Sequence, residues 1–125
     1  MAQVRYIVDD VNAAVAFYTG PMGFRLQEQF GTAMAIVERE DLSLWLAGPA
    51  ASASRPMPDG RQPVPGGWAR IVISVSDLDG LVARLRADEV TFRNDIVAGP
   101  GGRQILCQDP AGNVVELFEP AAAAS

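Results

Sequence analysis

The chain has 125 residues, 49% of them hydrophobic and 20% charged, a length and balance that fit one globular domain with a core of its own and exclude a disordered or fibrous chain. Its net charge of -5 argues against binding through a phosphate backbone, so no nucleic-acid partner is expected. There is no histidine and no lysine, all ten basic residues being arginine, which removes the usual general base, Ser-His and Cys-His nucleophiles, Schiff-base chemistry and a lysine-dependent phosphate loop.

The N-terminal stretch MAQVRYIVDD has no basic flank leading into an apolar run, so no secretory leader is expected. Within it QVRYIV (3–8) predicts a strand. Asp10 then stands where a helix N-cap belongs, ahead of Val11, Ala14, Val15 and Tyr18 at amphipathic spacing. Three strand-like runs follow: FRLQEQF (24–30), AMAIVE (33–38) and LSLWLAG (42–48). The next stretch, GPAASASRPMPDGRQPVPGG (48–67), is dense enough in proline and glycine to rule out a regular element. Loops this long in compact domains are usually functional or mobile.

ARIVISV (69–75) predicts another strand. Asp77 is a second N-cap, ahead of Leu78, Leu81, Val82 and Leu85. VTFRNDIV (90–97), RQILCQD (103–109) and NVVELFE (113–119) are the last strand-like runs, with turns at Gly-Pro-Gly-Gly (99–102) and Asp-Pro-Ala-Gly-Asn (109–113). A glycine run can cradle an anion, but this one is taken as a turn. Cys107 is the sole cysteine, so no intrachain disulfide forms and a reducing compartment is expected. With no histidine to activate it, it is an inert strand residue. No stretch approaches the ~20 apolar residues that span a bilayer. The expectation is a cytoplasmic protein without a membrane partner. The AAAAS tail (121–125) is expected to fray.

The chain repeats itself. VDDVNAAVAFY (8–18) and VSDLDGLVARL (75–85) match position for position, 67 residues apart. Each copy belongs to a strand, helix, three-strand unit. The predicted fold is α+β, with two tandem βαβββ modules in a single domain 1–125: module one at 3–47, a linker loop at 48–67, module two at 68–120 and a tail at 121–125.

This tandem pattern, with FYTGPMGF (17–24) after the first helix and DPAGNVVELFEP (109–120) at the end, resembles the vicinal-oxygen-chelate superfamily. That group holds glyoxalase I, extradiol dioxygenases, and the bleomycin and fosfomycin resistance proteins. The resemblance runs from Val4 to Pro120. It implies two modules whose sheets curl around a cup, a small-molecule ligand, and in many members a homodimer. In metal-using members the first and last strand of each module supply the ligands. Aligned on the capping aspartates, those positions are Gln3, Trp45, Arg70 and Glu116. Arginine has no lone pair to give and tryptophan offers only an N–H donor. No metal and no other cofactor is therefore expected.

Strand alternation gives the candidate lining. Gln3, Arg5 and Ile7 share one face, as do Ser43 and Trp45, then Arg70, Val72 and Ser74, then Val114, Glu116 and Phe118. The opposite positions (Val4, Tyr6, Val8; Ile71, Ile73, Val75; Val115, Leu117) are mostly apolar and suit packing under helices. A carboxylate in so apolar a strand is costly to bury alone. Arg70 is its expected partner, in a two-point contact where metal-using relatives hold an ion, with Gln3 as a candidate further hydrogen bond. A fully buried pair would make Arg70→Ala cost roughly 3 kcal/mol or more.

The ligand-binding candidates are thus Gln3, Arg5, Ile7, Trp45, Arg70, Val72, Glu116 and Phe118, with Trp68 as a lid or dimer contact. Three functions compete. The first is a metal-independent binder of the bleomycin-resistance type that sequesters an antibiotic or related metabolite. The second is a glyoxalase-, epimerase- or dioxygenase-like enzyme with Glu116 as its catalytic residue. A neighbouring arginine favours a charged carboxylate, which works against such a base. The third is a degenerate module in which Arg70 and Glu116 are a structural ion pair and the chain has an interaction role.

Overall fold

The computed structural model of the chain describes residues 1–122. Most of the tail expected to fray lies outside the described residues. The chain divides into two compact units, Met1–Gly66 with Pro110–Asn113, and Gly67–Asp109 with the chain from Val114 onward. Each unit carries one βαβββ module.

The first module contains β1 (Ala2–Ile7), α1 (Val11–Thr19), β2 (Arg25–Phe30), β3 (Met34–Arg39) and β4 (Leu42–Ala47). Its sheet runs β1-β4-β3-β2, with β1 parallel to β4 and the other pairs antiparallel. The parallel pair needs a long crossover, which α1 and the β2–β3 hairpin supply. Asp10 caps α1 as expected: its backbone is extended and Oδ1 accepts from the Ala13 N–H at 3.1 Å. Losing such a cap costs about 1 kcal/mol. The helix buries Val11, Ala14, Phe17 and Tyr18. Below them lie Tyr6, Val8, Ala35, Val37, Leu44 and Leu46, all buried. Tyr18 is fully enclosed and meets Phe17 and Phe24 edge-on, with centroids at 5.0 and 5.5 Å. Each such ring pair adds about 0.5–1.5 kcal/mol beyond its burial.

The linker corrects one expectation. Ser52–Ser54 forms a single 3-10 turn. The Ser54 hydroxyl donates to the Gly48 carbonyl at 2.8 Å, and the Gln62 amide donates to the Ser54 carbonyl at 2.7 Å. The run 51–54 contains no proline or glycine, so the breakers lie on either side of it. The 110–113 turn completes this unit: Asn113 Nδ2 donates to the Ile7 carbonyl at 2.7 Å, and its Oδ1 accepts from the Gly66 N–H at 2.9 Å.

The second module contains β5 (Ile71–Ser74), α2 (Leu78–Ala87), β6 (Val97–Gly99), β7 (Gly102–Gln108) and β8 (Val114–Pro120). The sheet order β5-β8-β7-β6 repeats that of the first. Asp77 caps α2 by accepting from the Gly80 N–H at 3.0 Å. A side chain at Gly80 would strike the Asp77 carboxylate, so cap and glycine act together. The buried apolar layer joins Leu78, Val82 and Leu85 to Ile71, Ile73, Ile105, Cys107, Val115 and Leu117.

A charged staple ties α2 to the sheet. Glu119 Oε2 accepts from the Leu78 N–H at 2.9 Å, at the positive end of the helix. Arg103 Nη2 lies 2.8 Å from both Asp79 Oδ2 and Glu119 Oε1. The Leu78 N–H first, and Arg103 second, hold the Glu119 carboxyl below its ordinary range. Arg103 does the same for Asp79, and these two carboxylates raise the guanidinium in turn.

VTFRNDIV does not form the expected strand. The ladder starts only at Val97, and Phe92 makes an isolated bridge to Cys107. Asn94 explains the break. Its side-chain Oδ1 accepts from the Leu106 N–H at 2.9 Å, taking the place of a ladder carbonyl. Asparagine competes with the backbone in this way because its amide reaches nearby main-chain groups.

Candidate functional site

In the first sheet Arg5 stands opposite Trp45, and Trp45 opposite Ile36. Register partners point to the same side, so these residues form one row. The flanking rows hold Gln3 with Ser43, and Ile7 with Ala47. The Arg5 guanidinium carbon lies 5.0 Å from the Trp45 ring centroid, within cation–π range. The indole N–H, the only polar group of that side chain, donates to Ser43 Oγ at 3.0 Å. Ile7 and Trp45 are half-buried, while Gln3 and Arg5 are exposed. The expected face is therefore formed, with its polar members toward solvent.

In the second sheet Val72 stands opposite Glu116, and Glu116 opposite Leu106. The next row on that side is Ser74, Phe118 and Gln104. Arg70 sits one residue ahead of β5 and reaches Glu116. Its Nε donates to Oε1 at 3.0 Å, and Nη2 lies 3.0 Å from the same oxygen. Nη1 turns away and donates to the Trp68 carbonyl at 3.3 Å. The pair is thus present, but two expectations need correction. The fork does not meet both carboxylate oxygens, because one of its arms is held by the Trp68 carbonyl. Nor is the pair fully buried: the Glu116 side chain is 10% exposed and that of Arg70 is 29% exposed. Val72 is well exposed and Phe118 half-buried, so the apolar wall they offer is open on the valine side.

Arg93 is the residue the sequence did not flag. Its guanidinium carbon lies 4.5 Å from the Trp68 ring centroid, Nη1 donates to the Gly67 carbonyl at 2.8 Å, and Nε donates to Gln108 Oε1 at 3.3 Å. The backbone from Gly67 to Arg70 is therefore strapped to the sheet by two arginines. Trp68 itself is exposed, with Arg93 against its ring. No local pattern links positions 68 and 93. The available cue was an arginine in a run otherwise taken as a plain strand.

The four positions that carry metal ligands in metal-using relatives do not suit a divalent cation here. Arg70 is a permanent cation without a lone pair, and it is bonded to the one carboxylate of the set. Trp45 has only its N–H, which it gives to Ser43. Gln3 offers an amide oxygen. Among the described residues no group of three or more His, Cys, Asp or Glu side chains is placed to hold a metal ion. Cys107 is fully buried, and burial pushes its thiol up to about 12, far from a reactive thiolate. No described helix is long and apolar enough to cross a membrane.

A sequence model of the Glyoxalase/Bleomycin resistance protein/Dioxygenase superfamily matches residues 1–117. No curated protein matches the chain significantly. Among solved structures, TnmS3, an antibiotic binding protein from Streptomyces sp. CB03234, is 29% identical; the match covers 95% of this chain and 93% of that one, with a TM-score of 0.71. A superfamily member from Sphaerobacter thermophilus DSM 20745 is 28% identical over 95% of each chain, with a TM-score of 0.73. Lactoylglutathione lyase from Agrobacterium tumefaciens is 24% identical over 95% of this chain and 92% of that one, with a TM-score of 0.72, and shares the fold.

Proposed function

The chain belongs to the Glyoxalase/Bleomycin resistance protein/Dioxygenase superfamily, and from that premise we propose that it is a metal-independent small-molecule-binding protein that sequesters an antibiotic or a related metabolite. One observation carries the proposal. Glu116, the one carboxylate among the family's four ligand positions, is paired with the Arg70 guanidinium, with Nε and Nη2 both 3.0 Å from Oε1. An arginine there supplies the positive charge permanently, and it cannot polarise a carbonyl or activate water as a metal does.

Each sheet, taken by itself, carries a face that suits binding more than chemistry. Ligand sites are largely apolar with a few polar groups that fix orientation. In the first sheet Trp45 and Ile7 supply the apolar part and Gln3 and Arg5 the polar part; in the second, Val72 and Phe118 supply the apolar part and Arg70 and Glu116 the polar part. The likeness to TnmS3, an antibiotic binding protein, supports the same class of ligand. The reading includes a homodimer in the cytoplasm.

The test is a panel of antibiotics, bleomycin and fosfomycin among them, titrated by calorimetry with Trp45 and Trp68 emission as a second signal. Saturable binding of a panel member to protein freed of metal by chelation is the expected result. A protein that retains one metal ion per chain, and loses it on Glu116→Ala, overturns the metal-independent reading and directs attention to lyase and dioxygenase assays.

A further inference from the structure

Arg70 Nε donates to one oxygen of Glu116, Oε1, at 3.0 Å, and Nη2 lies 3.0 Å from that same oxygen. The other oxygen, Oε2, accepts no hydrogen bond among the described residues. Glu116 is only 8% exposed. Yet among the described residues no side-chain oxygen or nitrogen is both sealed from solvent and unpartnered, so Oε2 still opens to the outside. It is a carboxylate oxygen in a row whose other members, Val72 and Leu106, are apolar, and no donor reaches it among the described residues. Leaving such an acceptor unmatched is unfavourable, and a donor that reaches it is held strongly because the carboxylate is charged.

From this geometry we propose that Oε2 of Glu116 is a subsite for a neutral hydrogen-bond donor, a hydroxyl or N–H of the ligand. The proposal rests on the small-molecule-binding reading and specifies its ligand. The charge of Glu116 is already matched by Arg70, so a cationic group entering here meets a guanidinium 3.0 Å from the same carboxylate. An anionic group meets the carboxylate itself. A neutral donor meets neither penalty. The surroundings define the rest of the ligand near that donor. Val72 and Leu106 flank Glu116 in its own row, and Phe118 lies two positions along β8, so the donor is carried on an apolar or aromatic body.

The site makes an unusual demand on a substitution. In Glu116→Gln the side chain keeps its shape, and the Arg70 donors retain the amide oxygen. The amide nitrogen is then left at the place of Oε2. The open acceptor becomes an open donor, and the preferred ligand group changes from donor to acceptor.

Phenol, anisole, acetophenone and benzylammonium are suitable probes, titrated into isotopically labelled protein and followed by NMR. With the parent chain, phenol is expected to bind roughly tenfold or more tightly than anisole, as a hydrogen bond to a charged acceptor predicts. The greater hydrophobicity of anisole works against that outcome. Shifts should centre on Val72, Leu106 and Glu116, with benzylammonium weaker than phenol. In Glu116→Gln, with an unchanged amide fingerprint elsewhere, acetophenone should overtake phenol. Equal affinities of phenol and anisole, tighter binding of benzylammonium, no binding of any probe near Glu116, or an unchanged order in Glu116→Gln would each overturn the subsite. The antibiotic panel separates the two readings: a panel member that binds while these probes fail removes the donor subsite and leaves the binder, whereas failure of both removes both.

Discussion

Arg5 stands opposite Trp45 across the parallel β1–β4 pair, with its guanidinium carbon 5.0 Å from the indole centroid. The arginine is exposed and has no carboxylate partner among the described residues. Its tie to the sheet is therefore the aromatic face. Arg5→Ala should lose about 0.5–1 kcal/mol, the range for exposed cation–π pairs. Urea denaturation of Arg5→Ala, Trp45→Leu and the double variant measures the coupling directly. A coupling of zero would show that the two residues are neighbours only.

Arg70→Ala removes the one partner that a mostly buried carboxylate has among the described residues. The guanidinium is itself partly in water, so the cost falls below that of a fully buried pair, at about 1–3 kcal/mol. Glu116→Gln, which keeps an acceptor for Arg70, should cost less. The denaturation midpoints of the two variants check the order. A parent-like Arg70→Ala would mean that water already satisfies Glu116.

The Arg103 staple predicts an acid-sensitive limb of the stability curve. Glu119 and Asp79 both titrate below their ordinary range in the folded chain. A carboxylate with a depressed folded pKa contributes stability above its unfolded value, near pH 4, and loses it as pH falls through the lower folded value. Melting temperature should therefore fall as the solution is taken from about pH 4.5 toward pH 3. In Arg103→Gln the fall should be shallower, because the first cause at Asp79 and the second at Glu119 are gone. A parallel pair of curves would assign the acid limb to other groups.

Cys107 should resist thiol reagents in the folded state. It is fully buried on β7 with its thiol pushed up to about 12, so at pH 8 almost no thiolate is present or reachable. Absorbance with a disulfide exchange reagent should show no fast phase in buffer and one equivalent per chain in denaturant. A fast equivalent in buffer would place the thiol at the surface.

What the sequence disclosed was local and periodic. Asp10 and Asp77 were legible as caps because each precedes an amphipathic spacing, and each accepts the bond expected of it. The faces of β1, β5 and β8 followed from alternation, and Tyr6, Val8, Ile71, Ile73, Val115 and Leu117 are all buried. The partnership of Arg70 and Glu116 was legible because one apolar strand carried an unexplained carboxylate and another an unexplained arginine. Its one-oxygen geometry was not, since that depends on the Trp68 carbonyl holding the remaining arm. Arg93 over Trp68 and Asn94 at Leu106 were missed for a common reason. Side chains there take up backbone or ring partners far along the chain, and no spacing rule encodes such choices. Glu119 had a cue that was overlooked: it alternates with Val115 and Leu117 on the helix side, where a charge calls for a partner.

Asn113 has a consequence for the order in which the protein can be built. Its amide holds the Ile7 carbonyl and the Gly66 N–H. It therefore belongs to the first unit, although β7 and β8 on either side of it belong to the second. A nascent chain that has emerged as far as Gly66 contains every strand of the first sheet but not the side chain that joins the end of β1 to the end of the linker. That unit is closed only when Asn113 leaves the ribosome, after most of the second module has already been synthesised.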